Sequence, residues 1–202
     1  MECSIIHLNK NNFPKGSIQY LETESREKNV IEQLNSQGIF YHRWVDAIYD
    51  KQIPFRGCCK SHKKAVQFAK DHNLPQITIC EDDIIFTKHG AFGTYLKNMP
   101  IDFDLYLGGI YNLKGEGGTL DNGKVVDYFC GMSLYTVNSR FYDFFLGLNE
   151  LNNIDRELSK TTNIHKYIVC NPMVVYQKNG YSFIRRETVN RDEYLPSIGV
   201  SS

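Results

Sequence analysis

Glu81, Asp82 and Asp83 stand consecutively inside ITICEDDIIF (residues 77–86), one of the most apolar runs in the chain. Ionised carboxylates in such a run are costly unless a cation or several donors compensate them. The triplet is therefore expected at a strand end, facing something positive. Side chains alternate along a strand, which would turn Glu81 and Asp83 to one face and Asp82 to the other. One or two carboxylates, completed by water and substrate phosphates, form the usual oxygen set for Mg²⁺ or Mn²⁺. An acidic loop with solvated side chains accounts for the triplet equally well when it is taken alone.

The surrounding elements decide where such a group would sit. Residues 3–8 alternate as a first strand, and Val30, Ile31 and Leu34 share a helical face within residues 26–37, with Gly38 as the stop. Residues 39–46, β-branched and aromatic, read as a second strand. Ser61 reads as the N-cap of a helix that buries Ala65, Val66, Phe68 and Ala69, and the strand at 77–86 follows. Strand, helix, strand, helix, strand is the order of an α/β layer structure with a mixed, mostly parallel sheet. In such sheets ligands bind beyond the carboxyl ends of the strands, where the triplet falls, and a nucleoside diphosphate would complete a cation's shell there. Farther on, Asn122-Gly123 marks a hairpin turn, residues 141–148 an apolar helix capped by Ser139, residues 155–160 a short helix and residues 167–176 a strand.

Composition narrows the classes. The 202 residues suit one domain, with no repeat or linker; a polar tail begins near Arg185, so we divide the chain at 1–184 and 185–202. Lys plus Arg and Asp plus Glu are 23 each, which leaves no basic footprint for nucleic acid. No run approaches the length of a membrane span and no leader pattern opens the chain, which reads as cytoplasmic, with peripheral membrane association left open. The six cysteines lack CxxC spacing and read as buried free thiols, Cys58-Cys59 remaining unassigned. The loop Gly115-Glu-Gly-Gly118 lacks the lysine and hydroxyl of a P-loop, and Ser61-His62 has no hydrolase spacing.

Several stretches, in order, resemble one family. Arg56-Gly-Cys-Cys-Lys-Ser-His62, the helix KKAVQFAKDHN and ITICEDDIIF are similar to the G-C-x-x-S-H, helix, L-E-D-D signature of glycosyltransferase family 25, the lipooligosaccharide-type enzymes that include collagen galactosyltransferase domains. Ile5-Ile-His-Leu-Asn9, Arg26, Trp44-Val-Asp-Ala-Ile48, residues 131–139, Asn153-Ile-Asp155 and residues 172–177 resemble its other blocks. Cys59-Lys60 departs from the small or apolar residues usual there.

The resemblance implies a single GT-A-like domain with a Rossmann-like nucleotide-binding half. It implies inverting transfer of a hexose, galactose or glucose, from a UDP-sugar to a hydroxyl of a glycan or glycoprotein, with Mn²⁺ or Mg²⁺, in the manner of lipopolysaccharide biosynthesis. Carried over, Asp83 and Glu81 would hold the metal in a DXD-type element. Asn9, Arg26, Asp46, Ala47, Ser61, His62, Glu81 and Asp82 would contact the donor. Asp155 is the first candidate for the base and Asp127 the second. Residues 114–127 would select the acceptor, with Tyr111 or Tyr128 as a platform for a sugar face. A catalytically silent binding module and a two-metal phosphohydrolase drawing on Asp46, Asp102 and Asp104 are the rival readings.

Overall fold

The computed structural model describes residues 3–110, 120–121, 124–125 and 128–190. Strand β1 (Cys3–His7) leads to helix α1 (Ile18–Ser36), β2 (His42–Asp46), α2 (Pro54–Asp71) and β3 (Gln76–Glu81). After the turn at Asp82-Asp83 come β4 (Ile84–Phe86), α3 (Ala91–Lys97) and β5 (Leu105–Leu107). A two-residue ribbon, β6 (Leu120–Asp121) and β7 (Lys124–Val125), precedes β8 (Leu134–Asn138). Helices α4 (Tyr142–Leu146) and α5 (Ile154–Ser159) and strands β9 (Tyr167–Val169), β10 (Val175–Gln177), β11 (Gly180–Ser182) and β12 (Glu187–Val189) complete the chain.

Among the described residues the main sheet runs β2-β1-β3-β8-β5-β9-β7-β6. Strands β2, β1, β3, β5 and β9 point one way, and β8 runs against its neighbours β3 and β5. This is the expected mixed, mostly parallel sheet between helices. Both of its faces are covered, which explains the near-continuous apolar runs. Ile5 and Cys80 pack with Val30 and Leu34 of α1 on one side, while their neighbours Ile6 and Ile79 pack with Ala65, Val66 and Ala69 of α2 on the other.

Local differences from the sequence reading have local causes. Helix α1 begins at Ile18, two turns before residue 26, because the Ser17 hydroxyl caps it by accepting from Tyr20 N at 3.2 Å. Its buried side is Thr23, Arg26, Val30 and Leu34, and Ile31 is partly exposed. Helix α2 starts at Pro54, whose fixed φ suits a first helical position, so Ser61 lies mid-helix and caps nothing. Before α4, Asn138 rather than Ser139 caps, accepting from Arg140 N. The supposed tail at 185 falls inside a hairpin, β11 paired with β12, that packs against α1.

Candidate functional site

In register, His7 lies beside Asp46 and Ile6 beside Glu81, so β1, β2 and β3 end at one edge of the sheet. There a cleft of about 300 Å³ opens, walled by those strand ends, the first turns of α2, the start of α5 and the hairpin residues Ser182–Arg185. This is where an open α/β sheet places its ligand.

One wall is a closed set of charges. Arg26, 8% exposed, gives Nη1 to Asp82 Oδ1 at 3.1 Å, with Asp83 Oδ2 at 3.3 Å, Nε to Glu22 Oε1 at 3.1 Å and Nη2 to the Tyr181 carbonyl at 2.7 Å. Burial alone would lower its pKa, but Asp83, Asp82 and Glu22 outweigh it and hold the guanidinium charged. Asp82 uses its other oxygen on His7 Nδ1 at 2.9 Å. Burial would raise its carboxyl pKa, yet Arg26 and His7 keep it below the usual range. Because β3 stops at Glu81 and the chain turns at Asp82-Asp83, both aspartates meet Arg26. The expected pairing of Glu81 with Asp83 on one face does not occur, since strand alternation ends where the strand ends.

The opposite wall is less compensated. Cys58 and His62, four residues apart on α2, share a helical face, and both reach the cleft. His62 Nε2 lies 3.3 Å from Glu81 Oε1, and its Nδ1 shares a 2.5 Å hydrogen bond with the Tyr135 hydroxyl. Gln177 donates to Glu81 Oε2 at 2.8 Å. Gly57 and Ser61 form the adjoining stripe of α2. The Ser61 hydroxyl accepts from Ile48 N at 2.8 Å and donates to Gly57 O at 2.7 Å. A Cβ on Gly57 would stand 2.4 Å from Ile48 O, so only glycine lets α2 lie this close to the loop after β2.

Asp155, half-buried at the start of α5, completes the cleft. Its Oδ2 accepts from Gly131 N at 3.1 Å and its Oδ1 from Arg156 N at 2.8 Å. Burial raises its pKa, only partly offset by those two donors, and the charge of Glu81 raises it further. A carboxylate whose charged form is destabilised in this way is a better proton acceptor.

The structure brings Arg26, Ala47, Ser61, His62, Glu81, Asp82, Asp83 and Asp155 to this cleft. Asn9 and Asp46 instead line a neighbouring hollow with His7, Lys10, Glu27 and Trp44. The Asn9 side chain accepts from Asn11 N, turning the chain after β1. Asp127, Tyr111 and most of the loop at 114–127 lie outside the described residues. Asp102 and Asp104 sit at the start of β5, the edge away from Glu81, paired with Lys166 and Arg140. They do not converge with the triplet. Lys60 pairs with Glu150 at 3.7 Å. Sequence reasoning did not single out Tyr135, Gln177 or Tyr181, which hold His62, Glu81 and Arg26; no periodic pattern links residues so far apart. Cys58 divides from Cys59 by helical geometry, Cys58 toward the cleft and Cys59 into the core.

The donor set fits a hard divalent cation in part. Asp82 gives both oxygens to Arg26 and His7. Glu81, held by His62 and Gln177, and Asp83, paired with Arg26, also line the cleft, and two carboxylates suffice as ligands when phosphates and water fill the remaining positions and the cation displaces part of these contacts.

Comparison with known proteins agrees with this architecture. Over its whole length the chain is similar to the crystal structure of A197 from STIV (TM-score 0.53, 11% identity, 100% of each chain). It is also similar to a glycosyltransferase involved in the glycosylation of the major capsid of PBCV-1 (TM-score 0.52, 11% identity, 92% of this chain and 97% of that one). These likenesses define the fold as the α/β type that a glycosyltransferase uses. No curated protein matches in sequence. Residues 55–112 match the model of glycosyltransferase family 25 (LPS biosynthesis protein), a segment that runs from α2 through the triplet to β5. Over this segment the chain is similar to glycosyltransferase family 25, and the structural likenesses show the shared fold.

Proposed function

We propose that the cleft binds a UDP-sugar, with Mn²⁺ or Mg²⁺ held by Glu81 and Asp83, and passes a hexose to a glycan or glycoprotein hydroxyl with inversion. The observation that carries this reading is that Glu81, Asp83 and a carboxylate of raised pKa, Asp155, all line one cleft at the carboxyl edge of the sheet. When bound, the cation would neutralise charge on the departing diphosphate. The protein's own groups do the rest. Ala47, Ile48 and Tyr49, fixed by Ser61 and Gly57, form the floor for the nucleoside. Arg185, on the hairpin that Arg26 anchors, adds positive charge to the diphosphate side of the cleft. Asp155 takes the acceptor's hydroxyl proton as the new bond forms at the anomeric carbon and the bond to UDP breaks.

Calorimetric titration of UDP, with and without Mn²⁺, on the wild type and on Glu81→Gln tests this. Expected is Mn²⁺-dependent binding that the variant loses; no binding of UDP, with GDP and CMP as controls, would overturn the donor assignment. The ion pairs from Arg26 to Asp82 and Asp83 favour a second reading, in which the triplet is structural and the nucleotide binds without a cation. Equal UDP affinity with and without Mn²⁺ would select it.

A further inference from the structure

Cys58 has no part in the donor chemistry above, yet its sulfur sits among two other ligand groups. Cys58 Sγ, a ring nitrogen of His62 and a carboxylate oxygen of Glu81 all lie within 4.8 Å of one another. From Cys58–His62–Glu81 we infer a site for a thiophilic divalent cation, Zn²⁺ by chemistry, on the α2 wall of the cleft.

The geometry is favourable for three reasons. Cys58 and His62 are one helical turn apart on the same face, which brings the sulfur and a ring nitrogen within 4.8 Å of each other. Bonds of about 2.3 Å to sulfur and about 2.0 Å to nitrogen and oxygen place tetrahedral ligands roughly 3.3–3.6 Å apart. His62 Nε2 and Glu81 Oε1 already stand at 3.3 Å, and Cys58 Sγ lies within 4.8 Å of both ligand groups. Finally, the outer partners a metal-ligating histidine and carboxylate need are present. Tyr135 holds Nδ1 of His62, leaving Nε2 to face Glu81, and Gln177 holds the far oxygen of Glu81.

The ligand chemistry separates this site from the donor cation. Sulfur and imidazole select Zn²⁺ or a similarly soft ion, whereas Mg²⁺ and Mn²⁺ take oxygen. Three protein ligands leave a fourth position, on the cleft side, for water or another exchangeable group. Burial, reinforced by Glu81 and Asp155, pushes the Cys58 thiol up in the metal-free protein, so it enters the site by releasing its proton to solvent as the sulfur–metal bond forms. Since Glu81 serves both sites, Zn²⁺ here would draw it away from a donor cation. That consequence rests on the proposed function; the site itself does not.

Cobalt(II), a spectroscopic stand-in for zinc, tests the site without any activity assay. Titration of the intact protein should give an intense near-ultraviolet thiolate-to-cobalt band at one equivalent, which Zn²⁺ removes. Cys58→Ser should abolish the band and His62→Gln should weaken metal binding at least tenfold, while Cys130→Ser, altering another cleft cysteine, should leave it intact. Should Cys58→Ser fail to fold, the wild type still decides: Zn²⁺ is expected to slow alkylation of Cys58 by iodoacetamide at least tenfold, read by peptide mass, with Mg²⁺ ineffective. Absence of the band, its loss in Cys130→Ser rather than Cys58→Ser, or alkylation of Cys58 unaffected by Zn²⁺ would overturn the proposal.

Discussion

Asp82 and Asp155 are the same residue type on facing sides of one cleft, and their surroundings push them in opposite directions. Asp82 is the more buried, yet Arg26 and His7 hold it ionised below the usual carboxylate range. Asp155 accepts from two backbone N–H groups and feels the favourable charge of Arg156, but burial, with the repulsion of Glu81, outweighs them and its pKa rises. A compensated carboxylate locks elements together, here β1, α1, the triplet and the hairpin. An under-compensated one retains an appetite for a proton. Depth of burial therefore does not sort structural from chemical carboxylates; the balance of partners does.

The comparison breaks most severely at Arg26. Arg26→Ala would leave Asp82 and Asp83 buried without their main counter-charge, at a cost of about 3–5 kcal/mol. Urea denaturation should show a loss of that size, and a loss below about 1 kcal/mol would mean that this wall is not held by its charges. Asp155→Asn should behave in the opposite way, changing stability by no more than about 1 kcal/mol while sugar transfer falls about 10²–10⁴-fold.

Gly57→Ala drives a methyl into Ile48 O and Asp50 N, both backbone atoms. Overpacking of this kind costs about 1–3 kcal/mol, and the displaced loop should weaken UDP binding as well. Thermal unfolding and calorimetry on one sample separate the two effects. Acid titration gives the smallest contrast. Asp82's folded pKa lies below its unfolded value, so its stabilisation is present above the unfolded pKa of about 3.9 and lost as pH falls through the folded pKa. Asp155's lies above, so the folded state binds the proton more tightly and stability contributed below about 3.9 is lost as pH rises through the folded pKa. Asp82→Asn should flatten the acid limb of the stability curve, and Asp155→Asn should steepen it slightly.

Much of the layered architecture was legible, because Ile5, Ile6, Ile79 and Cys80 sit in runs that only a sheet covered on both faces explains. The position of the triplet at a strand end was legible for the same reason. Its geometry was not: Ile84, Ile85 and Phe86 continue the apolar run, so nothing in the spacing reveals that the chain turns at Asp82-Asp83. Ser61 looked like a cap because serine before an apolar helical face usually is one; Pro54, a stronger start signal, lay a further two turns upstream. The hairpin at Gly180–Val189 is polar and short, and its role in receiving Arg26 at the Tyr181 carbonyl comes from a backbone atom that side-chain patterns do not encode. Membrane spanning is limited to one observation, that no helix among the described residues is long and apolar enough to cross.

The account turns on Asp155 being the chemical carboxylate of the cleft and not another brace. The direct measurement is UDP release from UDP-galactose and UDP-glucose by the wild type and Asp155→Asn with Mn²⁺, beside UDP affinity for both. Unchanged UDP affinity with turnover reduced at least a hundredfold is the result expected. Turnover within a few fold of wild type at equal affinity would contradict it, and the proton acceptor would then have to be sought elsewhere in the cleft.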